Sequence, residues 1–142
     1  MKTVQQLLQA KDSGTWCISP DATVFDAIKL MSEKEIGALV VTKDDAVVGI
    51  LSERDYARKV FLKGRSSRNT PVSDIMSRNV VYAAPDQNVE HCMNVMTVKR
   101  IRHLPVMEDS RLIGIVSIGD LVKSIISEQQ ETIEQLESYI RG

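Results

Sequence analysis

The chain has 142 residues, 18 basic against 19 acidic for a formal net charge of −1, with 43% apolar and 4% aromatic residues. At that length a chain buries roughly 70% of the surface it exposes when unfolded, so it can build a core and is neither a disordered tail, a collagen-like repeat nor a generally basic nucleic-acid binder. No run of eighteen apolar residues occurs, and the start Met1-Lys2-Thr3-Val4-Gln5-Gln6 lacks the apolar stretch of a signal peptide, which predicts a soluble, cytoplasmic protein without a membrane partner. Cys17 and Cys92 form no Cys-x-x-Cys pair, so neither a disulfide scaffold nor a cysteine-built zinc site is expected.

In chain order, residues 4–8 read as a short helical lead-in and 16–19 as a strand. Thr23 then caps a helix whose Val24, Ala27, Ile28 and Met31 fall at i, i+3, i+4 and i+7. Residues 39–42 and 47–51 are β-branched runs around the polar turn Lys43-Asp44-Asp45-Ala46, a hairpin signal. The segment 63–71 has linker composition, and 72–76 repeats the lead-in. A strand is expected at 80–83, then a helix capped by Asn88 with Val89, Cys92, Met93 and Met96 as its apolar stripe. Strands at 104–107 and 112–116 follow, around Glu108-Asp109-Ser110-Arg111.

This order contains a repeat. A shift of 65 positions lays residues 18–55 on 83–120 without a gap. Pro20-Asp21 meets Pro85-Asp86, Val24 meets Val89, Met31 meets Met96, Ile36 meets Ile101, Leu39 meets Leu104 and Val41 meets Val106. Gly49-Ile50-x-Ser52-x-x-Asp55 meets Gly114-Ile115-x-Ser117-x-x-Asp120. Polar positions match as well as apolar ones, which a shared helical rhythm alone would not produce. Two copies of one small unit follow, each of helix, strand, strand, helix, and each too small to bury its apolar face comfortably alone. The predicted division is 1–62, a linker at 63–71, and 72–142.

The Gly-Ile-x-Ser-x-x-Asp element sets a hydroxyl and a carboxylate where a strand turns into a helix. A capping box accounts for it without any ligand: serine at the N-cap and an acid three residues on satisfy the exposed backbone donors. The same geometry also suits a phosphate or ribose, because a helix N-terminus carries free N–H groups and a carboxylate accepts two hydrogen bonds from a vicinal diol. Duplication in one register makes the two readings about equal.

The duplicated pattern resembles the CBS domain, the module named after cystathionine β-synthase, which occurs in tandem pairs and binds adenosyl nucleotides. The likeness runs from Val4 to about Ile126. Its markers are Gly49-Ile50-Leu51-Ser52-Glu53-Arg54-Asp55, Gly114-Ile115-Val116-Ser117-Ile118-Gly119-Asp120 and Arg102-His103-Leu104-Pro105-Val106. It implies an α/β (α+β) fold of two β-α-β-β-α units packed as a pseudo-twofold pair with two clefts, and an extended C-terminal helix. Carried over by position, a first cleft would use Ile50, Ser52, Arg54, Asp55, Val80, Val81, Ile101, Arg102 and His103. A second would use Trp16, Cys17, Ile36, Gly37, Ala38, Ile115, Ser117 and Asp120. Asp55 and Asp120 fall on the family's ribose-binding acid, and Ser52 and Ser117 on its hydroxyl position. Arg54, Arg102 and His103 bring cationic donors to the first cleft, whereas Gly37-Ala38 and Gly119 bring none to the second, so a phosphorylated nucleoside is expected to prefer the first. AMP is the expected ligand; ADP, ATP, NAD and S-adenosylmethionine share its adenosine. The implied protein is a stand-alone regulatory pair without catalytic activity, in which a ligand bridging both units shifts their relative orientation and so acts on a downstream protein.

Other features point elsewhere. Arg54, Arg58, Lys59, Lys63, Arg65 and Arg68 read as a solvated face, since a near-neutral chain with one basic stripe is a poor polyanion binder. His91, Cys92 and His103 lack metal-ligand spacing. Ser52, Asp55 and His103 lack the nucleophile elbow of a hydrolase, and there is no Walker A or Gly-x-Gly-x-x-Gly. After Leu121 a narrow apolar seam of Val122, Ile126, Ile133, Leu136 and Ile140 runs at spacings of three and four, interrupted by Gln129. A seam this narrow is one half of a helix pair, within the chain or in a homodimer. It supports an alternative reading: a ligand-independent interaction module in which the serines are caps only.

Overall fold

The computed structural model describes residues 1–11 and 14–142, which divide into two compact units. One is Thr15–Val80. The other joins Met1–Gly14 to Val81–Gly142. The packed units are therefore not drawn at the predicted boundaries, because each lead-in packs with the repeat that does not follow it directly in the sequence.

In Thr15–Val80, β1 (Cys17–Ile18) runs parallel to β2 (Ala38–Lys43), which pairs antiparallel with β3 (Ala46–Ser52). Asp44 and Asp45 both hold positive φ, 52° and 63°, the turn that lets two residues join twisted antiparallel strands. Between β1 and β2 lies α2 (Val24–Lys34), whose cap Thr23 accepts from Asp26 N at 3.1 Å and whose Val24, Ala27 and Met31 are buried. β3 leads into α3 (Glu53–Tyr56), which widens into a π-turn over Ala57–Phe61. The predicted linker belongs to this unit: Val24 N donates to Thr70 O at 2.9 Å and Phe25 N to Ser67 O at 3.0 Å, so 63–71 satisfies donors that the start of α2 would leave open. Arg68 lies over the Phe25 ring, 3.9 Å from its centroid. The second lead-in is only a 3₁₀ turn, Val72–Asp74, yet Val72, Ile75 and Met76 fill the core beside Leu39, Val41 and Leu51.

The other unit repeats the plan. α4 (Val89–Lys99), capped by Asn88, presents Val89, Cys92 and Met96 to the core. β4 (His103–Glu108) and β5 (Arg111–Ser117) pair antiparallel around Asp109 and Ser110, again both at positive φ. Both hairpins shift register at the equivalent place, Val41/Thr42 and Val106/Met107. The strand expected at 80–83 shrinks to one bridge: Ala83 N donates to Pro105 O and Met107 N to Ala83 O. The first lead-in is a full helix, α1 (Val4–Ala10), closed by a capping box between Thr3 and Gln6. Val4 N donates to Gln87 O at 2.8 Å, and Val4 joins Leu104, Val106, Val116 and Leu121 in this core. β5 leads into α5 (Ile118–Arg141), far longer than its counterpart α3.

Candidate functional site

Both Ser-x-x-Asp elements form complete capping boxes. Ser52 Oγ accepts from Asp55 N at 3.2 Å, while Asp55 Oδ2 accepts from Ser52 N at 2.9 Å and from Ser52 Oγ at 3.1 Å. Ser117 Oγ accepts from Asp120 N at 3.2 Å, and Asp120 Oδ2 accepts from Ser117 N at 2.8 Å. Each carboxylate stays partly open, with side-chain exposures of 19% for Asp55 and 23% for Asp120. The cap bonds fall on one oxygen, Oδ2, in both copies.

Strand pairing decides which other predicted residues stand beside each box. In Thr15–Val80, Ala38 pairs with Ser52 and Glu53 N donates to Gly37 O at 3.1 Å, so Ile36, Gly37 and Ala38 border the Ser52 cap. Cys17 pairs with Val40, and Trp16 lies under the Lys34 ammonium, 4.3 Å from its ring centroid. Ile50 has both backbone groups engaged, donating to Ser77 O and accepting from Ser77 N. Arg54, on the first turn of α3, is half-buried, and so is Val80. In the other unit His103 pairs with Ser117 and Ile118 N donates to Arg102 O at 2.9 Å. Arg102 is exposed; Val81, Ile101, His103 and Ile115 are half-buried. Within its own unit, then, each box neighbours the strand entrance that the family pattern assigns to the other cleft.

Two lysines complete the picture, and neither is among the site residues that the sequence pattern picks out. Lys59 Nζ approaches Asp55 Oδ1 at 3.3 Å and donates to Ile75 O at 2.9 Å. Its i+4 spacing from Asp55 is a readable signal. Lys11 Nζ donates to Asp120 Oδ2 at 2.9 Å and to Ile115 O at 3.0 Å. It sits 109 positions from Asp120, and no local pattern announces it.

The charges around Asp120 shift two titrations. Burial alone would raise its carboxyl, but the Ser117 N–H and the Lys11 ammonium outweigh it and hold the group below the usual carboxylate range. Burial lowers His103, and repulsion from Lys11 and Arg102 adds to this against the opposing pull of Asp120. His103 is therefore a neutral ring at pH 7. Stability should fall as pH drops below the ordinary histidine value of 6.5, because the unfolded chain takes up the proton first. Thermal melts between pH 7 and pH 5 check this: wild type should lose more than His103→Gln. A further loss, removed by Asp120→Asn, should appear below the ordinary carboxyl value of 3.8 as Asp120 protonates. Equal slopes in wild type and His103→Gln would count against the assignment.

Among the described residues no cluster of His, Cys, Asp and Glu could hold a metal ion, and no helix is long and apolar enough to cross a membrane. Cys92 is buried in the core, where burial raises its thiol.

The CBS domain profile matches residues 15–61 and 72–127. The chain belongs to the CBS domain family. A mitochondrial CBS domain-containing protein of Arabidopsis thaliana, CBSX3, is 44% identical over 138 residues, 94% of this chain and 66% of that relative, so the chain spans just under two thirds of its length. A putative signal-transduction protein with CBS domains from Burkholderia ambifaria is 53% identical, with a TM-score of 0.87 over 90% of this chain and 96% of that one. The CBS domain pair of protein MJ0100, solved with 5′-methylthioadenosine and S-adenosyl-L-methionine, shares the fold at 24% identity, with a TM-score of 0.80 over 90% of this chain and 98% of that one. The protein thus holds two CBS units in tandem, the second ending in an extended helix.

Proposed function

We propose that this CBS pair is an adenine-nucleotide sensor in which Asp55 and Asp120 take the ribose hydroxyls and Ser52 and Ser117 set the helix starts that present them. AMP is the ligand of choice, with ADP, ATP and NAD as relatives of the same adenosine. Binding acts through a change of conformation or assembly that is passed to a regulated protein, with no catalytic step. The observation that carries this reading is the duplicated carboxylate. In both units a partly open Asp stands at a strand-to-helix junction with its cap bonds confined to Oδ2. A protein of the same fold held adenosine ligands, which supports the choice of ligand class.

Thermal shift tests it. At 100 times Kd a ligand that binds only the folded state adds about 2.7 kcal/mol, so AMP should raise the melting temperature by several degrees. The Asp55→Asn, Asp120→Asn double variant keeps an acceptor for each cap but removes the charge, and its shift should vanish. A wild-type melting point that millimolar AMP leaves in place sinks the reading.

One observation favours a second, compatible reading as a homodimer through α5. Ile126, Ile133, Leu136 and Ile140 are 50%, 53%, 57% and 82% exposed along one seam. Three isoleucines at one core position, with Val122, Gln129 and Leu136 at the other, form the narrow apolar seam of one half of a helix pair. An antiparallel partner copy that sets Ile126 on Leu136 and Val122 on Ile140 also brings Lys123 near the second copy's Glu137. That pairs opposite charges at both ends of the seam.

A further inference from the structure

We infer that Lys11 makes the Asp120 site selective for nucleosides that carry a phosphate, because its ammonium already holds Asp120 Oδ2 and the Ile115 carbonyl, two of the acceptors that a nucleoside spanning both carboxylate oxygens would use. This rests on the proposed ribose role of Asp120. The two repeats differ here. At Ile50 the carbonyl is closed by a backbone N–H, that of Ser77 at 2.9 Å, whereas at Ile115 a movable side chain does it, at 3.0 Å. Lys59 reaches Asp55 from the same helical segment, at 3.3 Å and 47% exposed. Lys11 reaches Asp120 from a distant segment at 2.9 Å and only 24% exposed. A ribose diol that takes both carboxylate oxygens displaces the half-buried ammonium from Oδ2 and leaves it unpaired, which is costly. A phosphate on the same ligand gives that ammonium a replacement anion, and a four-carbon stem lets it move there. Uncharged adenosine brings no such exchange.

Calorimetric titration with AMP and with adenosine tests this on the full chain carrying Asp55→Asn, which quiets the other ribose position while leaving a cap acceptor. With Lys11 present, AMP should bind at least about tenfold more tightly than adenosine. Lys11→Met should strengthen adenosine, weaken AMP and bring the ratio towards one; Lys11→Arg should keep the preference for AMP. Circular dichroism melts confirm that each variant is folded. Binding of both ligands with the same ratio whether Lys11 is kept or replaced in the Lys11→Met variant overturns the inference and leaves the sensor reading standing. Binding of neither ligand to any chain, including wild type, overturns both.

Discussion

Replacing Ile133 and Leu136 with aspartate is expected to turn a dimer into a monomer. Both side chains lie on the C-terminal half of α5, more than half exposed, and belong to neither core. Such a seam gains stability only by burying its apolar face against another helix, and four buried carboxylates in a dimer would remain without partners. Sedimentation should show the wild type at twice the monomer mass and Ile133→Asp, Leu136→Asp at the monomer mass. Because neither residue belongs to either core, the melting temperature of the folded unit should change far less than the mass. The direction of the pair has its own test. Lys123→Glu should weaken an antiparallel dimer by about 0.5 kcal/mol per pair, and adding Glu137→Lys should restore it. A monomeric wild type removes the homodimer, and an unchanged mass in the aspartate variant moves the contact away from this seam.

The second large effect separates two glycines that the repeat makes equivalent. A Cβ at Gly49 would lie 2.7 Å from Met76 Sδ and 2.9 Å from Ser77 O; the three atoms nearest to one at Gly114 all belong to the Leu8 side chain, the closest at 2.6 Å. The Leu8 methyls can rotate away. The Ser77 carbonyl cannot, because it accepts from Ile50 N while Ser77 N donates back to Ile50 O. Gly49→Ala should therefore cost roughly 1–3 kcal/mol by overpacking, and Gly114→Ala distinctly less. Urea unfolding of the two variants measures the difference, and an equal or reversed order would show that the backbone at Ser77 yields. The same substitution strains Ile50, one of the residues expected to frame the nucleotide, so a loss of AMP binding should accompany the loss of stability.

The local signals in the sequence are informative where local physics decides. The caps Thr23 and Asn88 start the helices expected of them, and both hairpins turn on the polar pairs that signal them, gaining a residue or two at their ends. The capping-box reading of Ser52 and Ser117 is met in full, and the ribose role rests on the family likeness added to it. The strand expected at 80–83 is too long, because its residues gain sheet bonds only at Ala83, against β4. The segment 63–71 reads as a linker since Gly, Ser and Arg carry no periodicity, yet its carbonyls close the start of α2.

What the amino-acid order determined unaided was the two-copy plan, the family, the caps and turns, and the seam of α5, all of them set by neighbours within a few residues or by a match between copies. Tertiary packing alone decided that each lead-in joins the core of the other repeat and that Lys11 meets Asp120. Those contacts join positions far apart in the chain, and a side chain carries no mark of a partner that only the closing of the core brings within reach.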